Sequence, residues 1–365
     1  MITAGDIAGM LEDLAPNALQ EPYDNSGLIT GSPDQEISGA LVCLDVTPEV
    51  IAEAAGLGLN MVISHHPPVF EGLKRFSGRT VAERVVTDAI RKDVVLYACH
   101  TNLDQVAGGV SDRMADRLDL RERQVLSPRA GDLVKLVCFV PKDFIQNVSQ
   151  AVFKAGAGRI GKYDSCSFQA PGTGTFRGDE GTSPFVGIPG EFHWEEEIRF
   201  ETILPARLSS AVIEALLAAH PYEEVAYDLY PLLNANSGEG FGRIGILPRD
   251  LSPEEFLGQL KDFFGTPVIR HSAYTGERIR KVAVCGGSGS GFITRASFCL
   301  CDAYVTADIK YHQWFDVPPS MLVADIGHYE SEQFAINCLH DFLVEKFPNF
   351  AVRLTRIITN PVKYF

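Results

Sequence analysis

Three short segments of the 365-residue sequence carry side chains that could bind and activate a ligand. Ser64-His65-His66-Pro67-Pro68 sets two imidazoles where an apolar run gives way to prolines, which cannot donate to a sheet ladder and force the chain out of it. Adjacent strand residues point to opposite faces, so at a turn two consecutive histidines can serve two neighbouring ions rather than chelate one. His100-Thr101-Asn102-Leu103-Asp104 follows a second apolar run. Asp104 is a hard oxygen donor, and His100 is either a ligand or a donor behind one. Taken alone, that segment is better read as a helix cap or a loop hydrogen-bond network. Asp325-Ile326-Gly327-His328-Tyr329-Glu330-Ser331-Glu332 places His328 and Glu332 four apart, so on a helical turn they share a face. Capping would account for Glu332 but not for His328.

Together the three segments supply His65, His66, Asp104, His328 and Glu332, a set of nitrogen and oxygen donors with no thiolate. Such a set suits Zn, Fe, Mn, Co or Ni in an open site rather than a closed cysteine-rich structural site. Five donors exceed a four-coordinate catalytic zinc but fit two divalent ions sharing one carboxylate. Two such ions against two carboxylates leave a net positive centre, which would draw in an anionic substrate and acidify a water molecule. His100, Asp24, Asn25 and Asp325 are the residues expected to hold the ligands from behind. The glycine-rich run Cys285 to Gly291 follows a strand, so Gly287, Ser288 and Gly289 are candidates for cradling an anion with their amides, although a plain turn reads equally well. Asp308 and His312 are four apart after another strand and could form a proton-transfer pair. With Glu332 they are the candidate catalytic groups. His193, His220, His271 and His340 have no partner pattern and read as structural.

The elements that must position these groups are legible around them. Ala40–Asp45, Met61–Ser64 and Val94–Cys99 are short apolar runs, the signature of strands buried on both faces. Helix-period segments lie between them: one opens at Thr47 and Pro48 as cap and first-turn proline, another spans Arg79–Arg91. Strands alternating with helices imply a parallel α/β layer. The same rhythm returns in Lys281–Cys285, Ala303–Thr306 and Met321–Asp325, followed by a long helix over Ser331–Phe347. Ligands in such sheets bind at the carboxyl ends of the strands, where all three segments fall.

The middle of the chain has another texture. Leu133–Val140, a helix over Asp143–Lys154 and a strand at Ser165–Gln169 are echoed by Ile198–Leu204, a helix over Ser209–Ala219 and a strand at Glu224–Tyr230. A doubled β-α-β unit predicts a ferredoxin-like α+β domain inserted at 128–232, between α/β halves at 1–127 and 233–365. Ala170–Gly190 reads as the exposed tip between the copies, and Ile244–Phe264 as a strand and helix leading back into the outer layer.

A net charge of -15 without a basic run argues against nucleic acid or an anionic membrane as partner. No apolar stretch approaches the ~18 residues of a membrane span, and Met1–Gln20 lacks a signal-peptide pattern. A cytoplasmic protein is expected, with its eight cysteines, none in a C-x-x-C pair, as buried reduced thiols.

With Glu21-Pro22-Tyr23-Asp24-Asn25-Ser26-Gly27-Leu28 added to the three segments, the sequence resembles the Nif-three-like family, also called the GTP cyclohydrolase 1 type 2 homologues. The likeness spans the whole chain. The insert, ending in His220-Pro221-Tyr222-Glu223-Glu224-Val225-Ala226-Tyr227, resembles the signal-protein-like or copper-tolerance-protein-like insert of the longer bacterial members. The resemblance implies a layered Nif-three-like α/β fold and a dinuclear site with His66 and Asp104 on one ion, His65 and His328 on the other, and Glu332 bridging. It also implies a ring-shaped homohexamer, a trimer of dimers. Tyr23 stands where members commonly carry Trp, and Ala307-Asp308 where they carry Gly-Glu.

The expected function is that of a dinuclear metal-dependent hydrolase, with zinc as the leading cofactor and a small anionic substrate such as a nucleotide. GTP cyclohydrolase-like chemistry falls within that class. The alternative is a metal-binding regulatory or metal-handling hexamer without catalysis.

Overall fold

The computed structural model describes residues 1–365, which divide into two compact units: residues 1–127 with 239–365, and residues 128–238. The second junction falls at 238 rather than 232, where the long strand Asn236–Leu251 begins and carries the chain into the outer unit.

The outer unit holds two sheets. In the first, the strands run in the order Gly27–Thr30, Val95–Ala98, Met61–Ser64, Ala40–Cys43, Val352–Leu354. The last four are parallel, and Gly27–Thr30 is antiparallel at the edge. Every residue of its three central strands is buried, as their unbroken apolar runs require when both faces are covered. Thr47 and Thr80 cap the helices Pro48–Gly56 and Val81–Arg91 that cover one face. The other face packs against the helices Ala4–Leu14 and Ala335–Lys346.

The second sheet runs Arg270–His271, Leu322–Asp325, Ala303–Thr306, Ile279–Val284, Asn236–Leu251, Arg121–Arg129. Ser252 and Glu255 form a capping box ahead of Pro253–Phe264, whose Phe256, Leu260 and Phe264 fill the core on one face. The helix Val110–Arg117 serves both sheets: Val110 lies in the core of the first, Met114 and Ala115 in that of the second.

Register decides where the polar segments emerge. Cys43, Ser64 and Ala98 lie side by side, so Asp45, His65, His66 and His100 leave the first sheet at one end. Val284 pairs with Val305 and Thr306 with Asp325, so Gly287, Asp308 and His328 leave the second sheet together. The long helix expected over Ser331–Phe347 is two, His328–Glu332 and Ala335–Lys346. Phe334 occupies the break, packed on Phe264 and beneath Arg117, so Glu332 can face the site while Ala335–Leu343 lies along the first sheet.

Residues 128–238 form a four-stranded antiparallel sheet, Ser167–Phe176, His193–Pro205, Leu133–Pro141, Tyr227–Leu232. That is the ferredoxin-like order, with the helices Ile145–Lys154 and Ser209–Ala219 packed on one face. The expected loop at Ala170–Gly190 is strand as far as Phe176. Pro171, Gly172 and Gly174 are tolerated there because the strand lies on the sheet edge. No helix in the chain is long and apolar enough to cross a membrane. None of the eight cysteines is disulfide-bonded, and six are buried.

Candidate metal centre

The strand ends of the two sheets converge on one cluster. Glu332, buried at 3 % exposure, places Oε2 2.9 Å from both His66 Nε2 and His328 Nε2. Its Oε1 lies 3.9 Å from His65 Nε2, which in turn is 3.7 Å from Asp104 Oδ1. The donors thus fall into two groups that share Glu332: His66 with His328, and His65 with Asp104. All five expected ligands meet in this one cluster. His100 belongs to the cluster more closely than a supporting role requires, since its ring lies 5.3 Å from those of His65 and His66 and the three form a further potential ligand group.

Each imidazole has its Nδ1 tied down, which turns Nε2 toward the centre. His65 Nδ1 is 2.8 Å from Cys99 O, His66 Nδ1 2.8 Å from Asp45 Oδ1, His100 Nδ1 2.7 Å from Asp24 Oδ1 and His328 Nδ1 2.6 Å from Asp308 Oδ2. Asp45 is held by the Thr359 hydroxyl. Asp24 accepts from the Thr101 amide and hydroxyl, so it caps the short helix Thr101–Gln105 that carries Asp104. The Asn25 side-chain amide donates to Val69 O and ties down the loop that follows His66. Asp325 accepts from Arg270 and from the amides of Ile309 and Gly327, fixing the backbone beside Asp308 and His328.

Two buried atoms of the cluster, His65 Nε2 and Asp104 Oδ1, have no hydrogen-bond partner. Buried polar groups are almost always satisfied, and a cation between these two would satisfy both, so the residues fit a metal. The charges agree. Burial would lower His66 and His328, yet the carboxylates at both ends of each ring raise them to about 9 and about 11. Burial and the charge of Glu332 push Asp104 up to about 7. Burial works in the same direction on Glu332, but the surrounding imidazoles hold it well below the usual carboxylate range. The carboxylates of this cluster therefore already recruit positive charge.

Other candidates are placed differently. The Gly287 amide donates to Ser331 Oγ and the Gly289 amide to Thr306 Oγ1, while the Ser288 hydroxyl donates to Asp308, so two of the three amides of the expected anion cradle are already engaged within the protein. The glycine at 287 serves the site by its lack of a side chain: its φ is +60°, and a Cβ there would lie 2.1 Å from Glu332 Oε1. Asp308, at φ 54°, pairs with His328, whereas His312 is exposed on the turn Tyr311–Asp316. The expected Asp308–His312 pair does not form, because the chain leaves Thr306 in a left-handed turn rather than a helix. Asp45, missed in the sequence, was findable by the same strand-end logic as His65. The tail residues Asn360 and Tyr364, both bonded to buried Glu330, carried no signal.

The cluster lines one wall of a cavity of about 990 Å³, which also has Tyr23, Phe70, Phe292 and Tyr364 on its walls and Arg270 as its one Arg or Lys. A family model described as Duf34/NIF3 (NGG1p interacting factor 3) matches residues 2–361. A Halalkalibacterium halodurans protein named GTP cyclohydrolase 1 type 2 homolog is 41% identical over 321 residues, spanning 87% of this chain and 86% of its own. A Bacillus subtilis protein of the same name is 38% identical over 330 residues, spanning 90% and 88%. The solved structure of a Bacillus cereus protein related to NIF3 superposes with a TM-score of 0.86 at 36% identity, covering 100% of this chain and 99% of that one.

Proposed function

The chain belongs to the Duf34/NIF3 family, and from that premise we propose that it is a metal-dependent hydrolase that holds two divalent ions and acts on a nucleotide or a related phosphorylated compound. The observation that carries the reading is the pair of donor groups sharing Glu332 at the wall of a large cavity, with two buried atoms left unpartnered. His66, His328 and one oxygen of Glu332 would hold one ion; His65, Asp104 and the other oxygen would hold its neighbour. Ions so held supply Lewis acidity and make water a usable nucleophile near neutral pH. The name shared by the relatives, GTP cyclohydrolase 1 type 2 homolog, is consistent with a nucleotide substrate.

The chain's own groups orient rather than react. Asp45 and Asp308 set the His66 and His328 rings, and Asp24 positions both His100 and the helix bearing Asp104. The aromatic walls suit a flat heterocycle. Arg270, already paired with Asp325, is the one Arg or Lys side chain on the cavity wall, so most of the compensation for an anionic substrate must come from the metal centre. The homohexamer belongs to the same reading, and light scattering on the purified protein tests it.

The decisive experiment measures metal per chain on protein purified without chelator, for wild type, His65→Ala and Glu332→Ala, followed by a hydrolysis screen over nucleotides that includes GTP. Two ions per chain that are lost in the variants together with turnover are expected. Turnover that persists in Glu332→Ala protein would refute the proposal.

A further inference from the structure

The inserted unit contains a second cavity, of about 700 Å³, formed by its own residues. It lies on the sheet face opposite the helices: Phe200 and Leu204 point into the helix-packed core, while Glu197 and Arg199, of opposite parity on the same strand, line the cavity. A helix-free face of a ferredoxin-like sheet would ordinarily be solvated. Here the connection between the strands Ser167–Phe176 and His193–Pro205 covers it, and the Ser183 amide anchors that connection by donating to the Glu223 carboxylate, 3.0 Å away.

Glu197 is the informative residue. It is 8 % exposed, lines the cavity, and lies over the bare backbone of Gly174, where a Cβ would sit 2.1 Å from its Oε2. One oxygen, Oε1, accepts from the Tyr222 hydroxyl at 2.9 Å, and the other accepts no hydrogen bond from the protein. That oxygen is not sealed off by protein, so it is open to a donor or cation that enters the cavity. Arg199, two residues along the same strand, is turned to Glu201 instead.

The same cavity has aromatic side chains on its walls. The Tyr222 ring lies 6.3 Å from both Phe176 and Phe185. Aromatic rings and a carboxylate on the walls of one cavity can together hold an organic cation, the rings supplying quadrupole attraction and the carboxylate a charge-assisted hydrogen bond. Carboxylates also outnumber basic groups on the lining, with Asp179, Glu197, Glu223 and Glu224 against Arg177 and Arg199.

We propose that this cavity is a binding site for a small protonated alkylamine, whose N–H groups donate to Glu197 while its alkyl chain lies against the aromatic wall of Phe176, Phe185 and Tyr222. The site lies wholly within residues 128–238 and is independent of the metal centre and of the hydrolase reading. It gives the Tyr222-Glu223-Glu224 segment, conspicuous in the sequence, a role in the insert.

The test is calorimetric titration of the full-length protein at pH 7.5 with n-butylamine and 1,4-diaminobutane, both protonated there, and with butyrate as the anion of matched length. EDTA is present throughout so that amine cannot report on bound metal. Saturable binding of an amine and none of butyrate is expected. Glu197→Gln should weaken amine binding about tenfold or more, through loss of the charge-assisted bond. Phe185→Ala, at a half-exposed position on the connection, should weaken it about threefold to tenfold. Absence of amine binding, equal binding of butyrate, or unchanged affinity in Phe185→Ala protein would each overturn the proposal, the last even if Glu197→Gln protein fails to fold.

Discussion

Replacing Asp24 by Asn keeps the shape of a buried side chain and removes its charge. Asp24 Oδ1 accepts from His100 Nδ1 and from the Asn25 amide, both at 2.7 Å, and Oδ2 accepts from the Thr101 amide at 3.0 Å, the Thr101 hydroxyl and the Ser26 hydroxyl at 3.1 Å. The amide oxygen of Asn can retain the first pair, but its NH2 group would then face the Thr101 N–H. The two hydroxyls can rotate to accept; the backbone N–H cannot. An unsatisfied buried donor costs about 1–3 kcal/mol, and the bonds that lose their charge assistance add roughly 1 kcal/mol. The sum, about 3 kcal/mol, corresponds to roughly 6–12 °C in melting temperature for a unit of this size. Burial would raise the Asp24 carboxyl, but the bonds from His100 and Thr101 outweigh it and hold the group well below its ordinary 3.8. A group depressed in the folded state contributes stability above its unfolded pKa and loses it as pH falls through the folded one. The gap between wild type and Asp24→Asn should therefore be constant from pH 5 to 8 and narrow only below about pH 4. Urea unfolding followed by circular dichroism, with EDTA present, measures it. A loss below about 0.5 kcal/mol at pH 7, or a gap that narrows between pH 8 and 6, would refute the reasoning.

Three further outcomes are expected. Asp45→Asn should weaken zinc binding about 10–100-fold, as loss of a carboxylate behind a metal-binding histidine does, measured by competition with a chromogenic chelator. Gly287→Ala should lower metal content and destabilise the protein by about 1–3 kcal/mol, because the new Cβ meets Glu332 and strains a positive φ; Gly291→Ala, with nothing within 4 Å of the new Cβ, should do neither. In the insert, burial depresses His220 below 6.5 despite its bond to Phe139 O. A histidine depressed in the folded state stabilises above its unfolded pKa and ceases to as pH falls, so the insert should lose stability from pH 7 to 5, and His220→Gln should flatten that slope. Thermal unfolding read through Trp194 fluorescence in Trp314→Phe protein would show it.

The parallel strands were legible because a strand buried on both faces must be apolar throughout, and Met61–Ser64 and Ala303–Thr306 end where their runs end. The ligands were legible because each follows such a run directly. Asp45 escaped notice because it reads as the last residue of its own run, and only the register of Cys43 beside Ser64 reveals that it has left the sheet. The sharing of Glu332 between the His66–His328 and His65–Asp104 groups and the spent amides of Gly287 and Gly289 depend on contacts across tens to hundreds of residues, which spacing does not encode. The edge strand Ser167–Phe176 was half concealed by proline and glycine, whose usual meaning is a turn and which an edge position permits.

The strand Val352–Leu354 pairs with Ala40–Val42, so the first sheet acquires its edge only from residues made more than three hundred positions later. During synthesis the polypeptide presents His65, His66 and Asp104 long before Glu332 exists to join them, while the contiguous insert can fold as soon as it emerges. The order of translation therefore separates the two units in time: one matures early from neighbouring residues, and the other waits, with three of the four imidazoles of its site already made, for the far end of the chain.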